Sequence, residues 1–436
     1  MTFSRRRTGI AWIVAGSWLA TAGCDDKALP SPELAPTASV SAAKTTSAAA
    51  PKTHERVILS PVYEVEAIYK SMTGPQSTER VHLEDDTKPE LIWITGFEAI
   101  MVEPDGDSQI SQEFMCHTNL DMDSSRHQKL FGEEKITTGR LFTLSQGQYR
   151  IDMPKGFGIP VLSTELLNLN TQVLNLNIAD PKGKKVRHKV IMRYQRDAER
   201  TTPMKPLYVA GAYGLKLLEG KDGHYGLEKA SHAEDPGHAG HHEHEHAGHH
   251  EHHGDGAPSA DEVEHTACLP GDNAGQTTFG DGKGRKFTGH WVVEPGREVN
   301  HTRVTELMDL PFDTTIHYIA VHLHPFAESL MLKDLTTGDV VYEAKTKQAE
   351  RGVGLAHVDF FSSEKGIPVF ADHEYELISV YENTSGVAQD SMAVMNLYLA
   401  DREFKKPDLS KLADASNEPP KARGAEPAPR PMKGAM

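Results

Sequence analysis

Two histidines in the second half of the chain have the spacing of a metal site. Residues 315–326 read TIHYIAVHLHPF, and the alternation of apolar residues predicts a β-strand. One face of that strand would enter a hydrophobic core through Ile319, Val321 and Leu323. His322 and His324 then project side by side from the opposite face, where both imidazoles can reach one zinc or copper ion.

A methionine further along the chain could complete this ligand set. Residues 391–399 read SMAVMNLYL, so Met395 shares a face with Leu397 and Leu399 while Met392 points to the other side. Two imidazoles and one thioether form a borderline-soft set that favours copper, Cu(I) in particular. The alternative is a methionine that fills space beside two surface histidines.

At these positions the chain resembles the ascorbate-dependent type II copper monooxygenases, the family of peptidylglycine α-hydroxylating monooxygenase and dopamine β-monooxygenase. The matching segments, in chain order, are Val292–Val299 (VVEPGREV), Val321–His324 (VHLH), Ser391-Met392 and Asn396-Leu397-Tyr398. The resemblance implies two jelly-roll-like β-sandwiches that face each other across a cleft. It also implies an oxygen-activating copper at His322, His324 and Met392, with ascorbate or another reductant as electron source.

The first half of the chain departs from the family pattern. The family's electron-supplying copper uses a His-His pair, but the matching positions here are Glu113 and Phe114, with His117 nearby. The third ligand would fall within residues 166–171, which contain asparagines and no histidine. Ala320 occupies the place of the arginine with which peptide-amidating members hold a carboxylate. The resemblance therefore implies one copper site, an external electron donor for any turnover, and a substrate other than peptidylglycine.

A histidine-rich segment lies between the two halves. Eleven of the 24 histidines fall between His232 and His265, together with nine carboxylates and no lysine or arginine. Dense neutral imidazoles suit Cu(II), Zn(II) or Ni(II), so we expect a labile chelator, and the spacing selects no single metal. The alternative is a solvated hinge. The candidate labile ligands are His241, His242, His244, His246, His249, His250, His252 and His253.

The N-terminus predicts export and lipid anchoring. Three arginines precede a short apolar run at residues 10–20, which is typical of a bacterial signal peptide. The following residues 21–24 (TAGC) are similar to a lipoprotein signal box, in which Cys24 receives the lipid. An ordinary cleaved signal with an incidental cysteine is the alternative. We expect a lipid-anchored protein of the bacterial cell envelope, periplasmic or at the cell surface.

The remaining cysteines, Cys116 and Cys268, lie one in each half of the chain. In an oxidising compartment such a pair is expected to form a disulfide. Two buried thiols are the alternative.

Short alternating runs separated by Gly, Pro, Asp and Asn predict an all-β fold of two sandwiches rather than βαβ units. Polar, Pro- and Ala-rich stretches predict disordered termini and a disordered His-rich linker between the sandwiches. The expected division is signal peptide 1–23, tether 24–54, N-terminal sandwich 55–230, linker 231–258, C-terminal sandwich 259–404 and tail 405–436.

Charge and composition narrow the function. The formal net charge of −16 disfavours a nucleic-acid partner, because binding to phosphates requires a surplus of lysine and arginine. Three functions stay open: a copper monooxygenase of altered type, a protein that captures, stores or delivers copper, and a non-catalytic surface scaffold. The residues favour a copper-binding protein of monooxygenase-like fold without deciding whether it turns over a substrate.

Overall fold

The computed structural model describes residues 52–71, 73–84, 88–132, 138–228 and 278–410. Within these ranges the fold is almost entirely β-structure, arranged as two sandwiches, which confirms the predicted fold class. None of the helices in this part of the chain has the length and apolarity to cross a bilayer. The predicted signal peptide, Cys24, Cys268 and the histidine-rich segment lie outside the described residues.

The first sandwich is formed by ten strands and one helix. In chain order they are β1 (His54–Leu59), β2 (Tyr63–Val65), β3 (Gln76–Val81), β4 (Leu91–Val102), β5 (Met115–Met122), α1 (Ser124–Phe131), β6 (Arg140–Ser145), β7 (Arg150–Asp152), β8 (Phe157–Leu162), β9 (Leu167–Val173) and β10 (Lys184–Arg196). One sheet has the order β1-β10-β4-β8 and the other the order β3-β9-β5-β6.

The alternation of β5 explains how this sandwich presents polar groups to its neighbour. Leu120 and Met122 are buried in the core between the two sheets. The residues of opposite parity, His117 and Asn119, lie on the outer face of the strand and are nevertheless buried. They are buried because the second sandwich packs on this face.

The second sandwich contains sixteen strands and a short helix. They are β11 (Lys205–Tyr213), β12 (Lys216–Glu219), β13 (Gly223–His224), β14 (Leu227–Glu228), β15 (Thr278–Gly280), β16 (Lys286–Thr288), β17 (Trp291–Val293), β18 (Gly296–Arg303), α2 (Thr305–Met308), β19 (Thr314–Leu323), β20 (Ala327–Asp334), β21 (Val340–Gln348), β22 (Leu355–Val358), β23 (Phe361–Val369), β24 (Tyr375–Asn383), β25 (Gln389–Ser391) and β26 (Ala393–Ala400). Its core lies between a sheet of order β11-β26-β19-β23 and one of order β18-β24-β20-β21-β22.

Strand β11 shows where the chain passes from one sandwich to the other. It pairs with β26 from Leu207↔Ala400 to Tyr213↔Val394. It also pairs in parallel with the start of β8, which joins one sheet of each sandwich into a continuous sheet. Residues 205–228 therefore pack with the second sandwich, although they precede the histidine-rich segment.

The described residues on either side of residues 229–277, a range that includes the histidine-rich segment, lie on the second sandwich. Strand β14 ends at Glu228, and β15 begins at Thr278. The Glu228 carboxylate lies 2.9 Å from Lys283 Nζ, in the turn after β15. These flanking residues are thus close together.

The junction between the sandwiches is closed by a turn at residues 145–148. The Gln148 side chain is buried; its Nε2 donates to Tyr318 Oη at 3.2 Å and its Oε1 accepts from the Val321 N–H at 3.0 Å. The pairing of β23 with β19 ends at Ile319↔Phe361. Among the described residues, no strand pairs with this edge of β19 at Val321. Gln148 thus takes the place of a strand partner for β19.

The chain after β26 returns to the first sandwich. Phe404 packs on Trp93 with ring centroids 5.4 Å apart, and Lys406 Nζ lies 2.8 Å from the Asp197 carboxylate. The described beginning of the predicted tail, through residue 410, therefore contacts the folded body.

Candidate functional site

Strand β19 divides its side chains between the two cores as its alternation predicts. Ile319, Val321 and Leu323 are buried in the core of the second sandwich, and Met395 of β26 joins them. Tyr318 and Ala320 point the other way, into the core of the first sandwich. His322 and His324 continue this second face toward the end of the strand, where each is only 6% exposed. The pair therefore lies at the junction of the sandwiches.

The hydrogen bonds of His324 indicate which of its nitrogens could bind a metal. Its Nδ1 lies 3.1 Å from the Asp390 backbone oxygen, which can only accept, so Nδ1 carries the proton. Nε2 then keeps its lone pair, 3.5 Å from Ser71 Oγ. The neighbouring ring of His322 has its centroid 5.3 Å away, and its buried Nδ1 has no hydrogen-bond partner. His322 Nδ1 and His324 Nε2 are therefore both available as metal ligands at the junction of the sandwiches.

Two further residues join the pair that the sequence did not single out. His290 lies just before β17, and Asp390 lies in β25, which pairs with β17 at Val292↔Asp390. His290 Nε2 is 3.0 Å from Asp390 Oδ1, and the ring centroids of His290 and His324 are 5.7 Å apart. One potential ligand atom each from His290, His324 and Asp390 lies within 4.8 Å of the other two.

The strand register brings the backbone of Met392 close to this group. Strands β17 and β25 pair at Trp291↔Ser391, and β19 and β26 pair at Leu323↔Ala393. Continued by one residue, the two ladders set Met392 opposite both His290 and His324. Met392 is buried, but it is not among the described residues that line the adjacent cavity.

A buried tyrosine holds the two strands together at this point. Tyr381 Oη accepts from the His324 N–H at 3.4 Å and donates to the Met392 carbonyl oxygen. One phenol hydroxyl therefore ties the backbone of a candidate imidazole ligand to that of the candidate thioether.

Burial keeps the two imidazoles neutral. It lowers the pKa of His324 to about 4, against the opposing effect of the nearby Asp390 carboxylate. It also lowers the pKa of His322 well below its usual range, helped by neighbouring His324, His117 and Arg140. A metal requires the unprotonated ring, so both side chains are in the ligand form at neutral pH without a cost for proton release.

His117 approaches the pair from the first sandwich. Burial, followed by the Arg140 cation, lowers the pKa of His117 to about 3, and His324 adds to this effect. Its Nδ1 lies 3.1 Å from Asn119 Nδ2. Phe114, and Asn170 within residues 166–171, lie where the family pattern has histidines. Phe114 is buried in the core of the first sandwich, and Asn170 donates to the Asp121 carboxylate at 2.7 Å. Among the described residues, the group that meets metal-binding distances is the one with His324, and it includes no residue of the first sandwich.

A small cavity opens beside His322 and His324 and has walls from both sandwiches. Its volume is about 40 Å³. The first sandwich contributes Lys70, Ser71, Cys116, Ser145, Gln146, Leu174 and Leu176, and the second contributes His322, Leu323, His324, Pro325, Gln389 and Asp390. Water itself needs about 10–15 Å³ measured in this way, so the cavity suits an ion with one or two small ligands.

Cys116 lies in this cavity wall, with Sγ 4.0 Å from Ser71 Oγ. Its predicted disulfide partner, Cys268, lies outside the described residues, so the pairing stays a prediction. The labile histidine ligands and the lipid site at Cys24 also stay predictions for the same reason.

Comparison with known proteins adds little to this geometry. The sequence matches no protein-family model and no curated protein. It is weakly similar in structure to a peptide-N(4)-(N-acetyl-β-D-glucosaminyl) asparagine amidase, with 8% identity, 81% of this chain and 99% of that chain covered, and a TM-score of 0.30. PNGase F, a glycosylasparaginase from Flavobacterium meningosepticum, has 8% identity, with 81% of this chain and 98% of that chain covered and a TM-score of 0.30. The STIV MCP has 8% identity, with 80% of this chain and 97% of that chain covered and a TM-score of 0.28. At such TM-scores no function is transferred to this chain.

Proposed function

We propose that the chain is a copper-binding protein of the bacterial cell envelope, with its ordered site at the junction of the two sandwiches. His322 and His324 are the central ligands, and Met392 is the soft one. The proposal is carried by one observation: two buried, neutral imidazoles, His322 and His324, line one small cavity, and His324 offers a ligand atom within 4.8 Å of those of His290 and Asp390.

The donor set favours copper over other ions. Imidazoles suit zinc and copper alike. The thioether of Met392, opposite His324 in the extended strand register, favours copper, since methionine is a soft ligand. Magnesium and calcium prefer sets made of oxygen atoms, which this group does not provide. When bound, copper would supply a centre that cycles between two oxidation states.

The cavity supports ion binding at the pair. Its volume of about 40 Å³ is enough for an ion with one or two small ligands. The histidine-rich segment then serves as a labile collector of metal, and the junction site as the ordered place where one ion is kept.

The test is copper retention by the full chain and by a form without residues 231–258. After dialysis against a weak chelator, the shortened chain should keep close to one copper. In the Cu(I) form, X-ray absorption should show two nitrogen neighbours and one sulfur. In the shortened chain, His322→Ala and His324→Ala should each abolish retention.

The matched control is His357→Ala. His357 is an exposed histidine of the same sandwich, 3.0 Å from the Asp359 carboxylate, and its loss should leave retention unchanged. Retention of copper by the shortened chain after loss of both His322 and His324 would contradict the proposed function.

A further inference from the structure

We propose that the junction site contains two overlapping ligand sets, one for each oxidation state of copper. The Cu(II) set is His290, His322, His324 and Asp390, and the Cu(I) set is His322, His324 and Met392. This inference rests on the proposed function and adds to it two ligands and a change of coordination.

The hard and soft ligands lie on one short segment of chain. Asp390 and Met392 are two residues apart, so in extended backbone their side chains leave the same face. The pairing of β25 with β17 brings His290 to this face, and the pairing of β26 with β19 brings His324. A single ion near His324 can therefore be approached by a carboxylate, a third imidazole or a thioether.

The chemistry of copper separates these ligands by oxidation state. Cu(II) prefers four nitrogen and oxygen donors in a tetragonal arrangement, which three imidazoles and one carboxylate supply. Cu(I) prefers fewer and softer donors, which two imidazoles and a thioether supply. Because both sets contain His322 and His324, the ion keeps two ligands throughout.

The contact between His290 and Asp390 fits a pair of groups that can bind or leave a metal. Their Nε2 and Oδ1 atoms are 3.0 Å apart, yet they are not aligned for a hydrogen bond. This geometry is typical of two ligand atoms that both face a third position, where a metal ion can bind. A rotation of the His290 ring lets the two groups form a hydrogen bond with each other. Release of both groups from the ion therefore leaves no buried polar atom without a partner.

Reduction then changes only metal–ligand bonds. One electron from an external reductant converts Cu(II) to Cu(I), the bonds to His290 and Asp390 are released, and a bond to the Met392 sulfur forms. No covalent bond of the protein is made or broken.

The experiment measures Cu(II) and Cu(I) affinities of the full chain by chelator competition, together with the reduction potential. Asp390→Asn should weaken Cu(II) by about tenfold or more and leave Cu(I) close to wild type. The reduction potential should then rise by about 59 mV for each tenfold change in the affinity ratio. Met392→Leu should weaken Cu(I) selectively and lower the potential.

Three further variants keep the result interpretable. His290→Gln changes a partly exposed side chain and should shift the potential in the same direction as Asp390→Asn, even if the latter folds poorly. Asp359→Asn removes an exposed carboxylate that pairs with His357 and should shift nothing. The His322→Ala/His324→Ala double variant measures binding by the histidine-rich segment alone.

The outcomes distinguish the two proposals. If Asp390→Asn and Met392→Leu move the potential in the same direction, or neither changes the affinity ratio, the paired ligand sets are refuted while copper binding at His322 and His324 stands. If the double variant binds as much copper as the wild type, the proposed function itself fails.

Discussion

Replacing Gln148 by Met should destabilise the protein at the junction of its two sandwiches. Gln148 is 4% exposed, and its amide makes hydrogen bonds of 3.2 Å to Tyr318 Oη and 3.0 Å from the Val321 N–H. Methionine keeps the length of the side chain but removes both bonds, so a buried N–H and a buried hydroxyl lose their partners. Each unsatisfied buried group costs about 1–3 kcal/mol, so the loss of both partners should lower the free energy of unfolding by about 2–6 kcal/mol.

Urea unfolding of the variant measures this loss, and Gln348→Met is the matched control. The Gln348 amide also accepts from one backbone N–H, that of Phe326 at 2.9 Å, and donates to the Ala327 carbonyl at 2.7 Å. It is exposed, so water can replace both bonds and the loss should stay below about 1 kcal/mol. Equal losses for the two variants would refute the assignment of Gln148 as the buried strand partner of β19.

Three further outcomes are expected. Burial lowers the pKa of His117 to about 3 and that of His324 to about 4, so below pH 6.5 the unfolded chain binds more protons than the folded chain. The free energy of unfolding should therefore fall from pH 6.5 toward pH 4, by up to about 1.4 kcal/mol per pH unit for each histidine. A flat pH profile in urea unfolding would contradict this. Labelling of the unfolded, unreduced chain should find Cys116 and Cys268 unreactive, whereas two reactive thiols would exclude the disulfide. The intact mass should show a diacylglycerol on Cys24, and Cys24→Ser should move the protein from membranes to the soluble fraction, which an unchanged distribution would disprove.

The strands that carry the candidate site could be predicted from sequence because their alternation is long. β19 and β26 extend over ten and eight residues, enough for the period of two to show that Leu323 and Met395 face a core. The same alternation gave the outward direction of His322 and His324. It could not show that the first sandwich covers this face, because that depends on packing between elements distant in the chain.

His290 and Asp390 could not be found in this way. They are linked by the ladder of β17 and β25, each only three residues long, which is too short for a periodic pattern. They are also far from His324 in the chain, and only sheet pairing brings them to it. A usable signal was their position next to two segments already singled out: His290 precedes Val292–Val299 by two residues, and Asp390 precedes Ser391-Met392.

The proximity of the residues that flank the histidine-rich segment separates capacity from affinity in the proposed function. Since Glu228 and Lys283 lie together on one sandwich, the insertion between them can be lengthened or shortened at an entropic cost that rises only slowly with length. Gaining or losing histidines there would leave the junction and its cavity unaltered. Under the proposed function, evolution can therefore adjust the number of loosely held ions to the metal supply of a habitat while the site at the junction stays under its own selection.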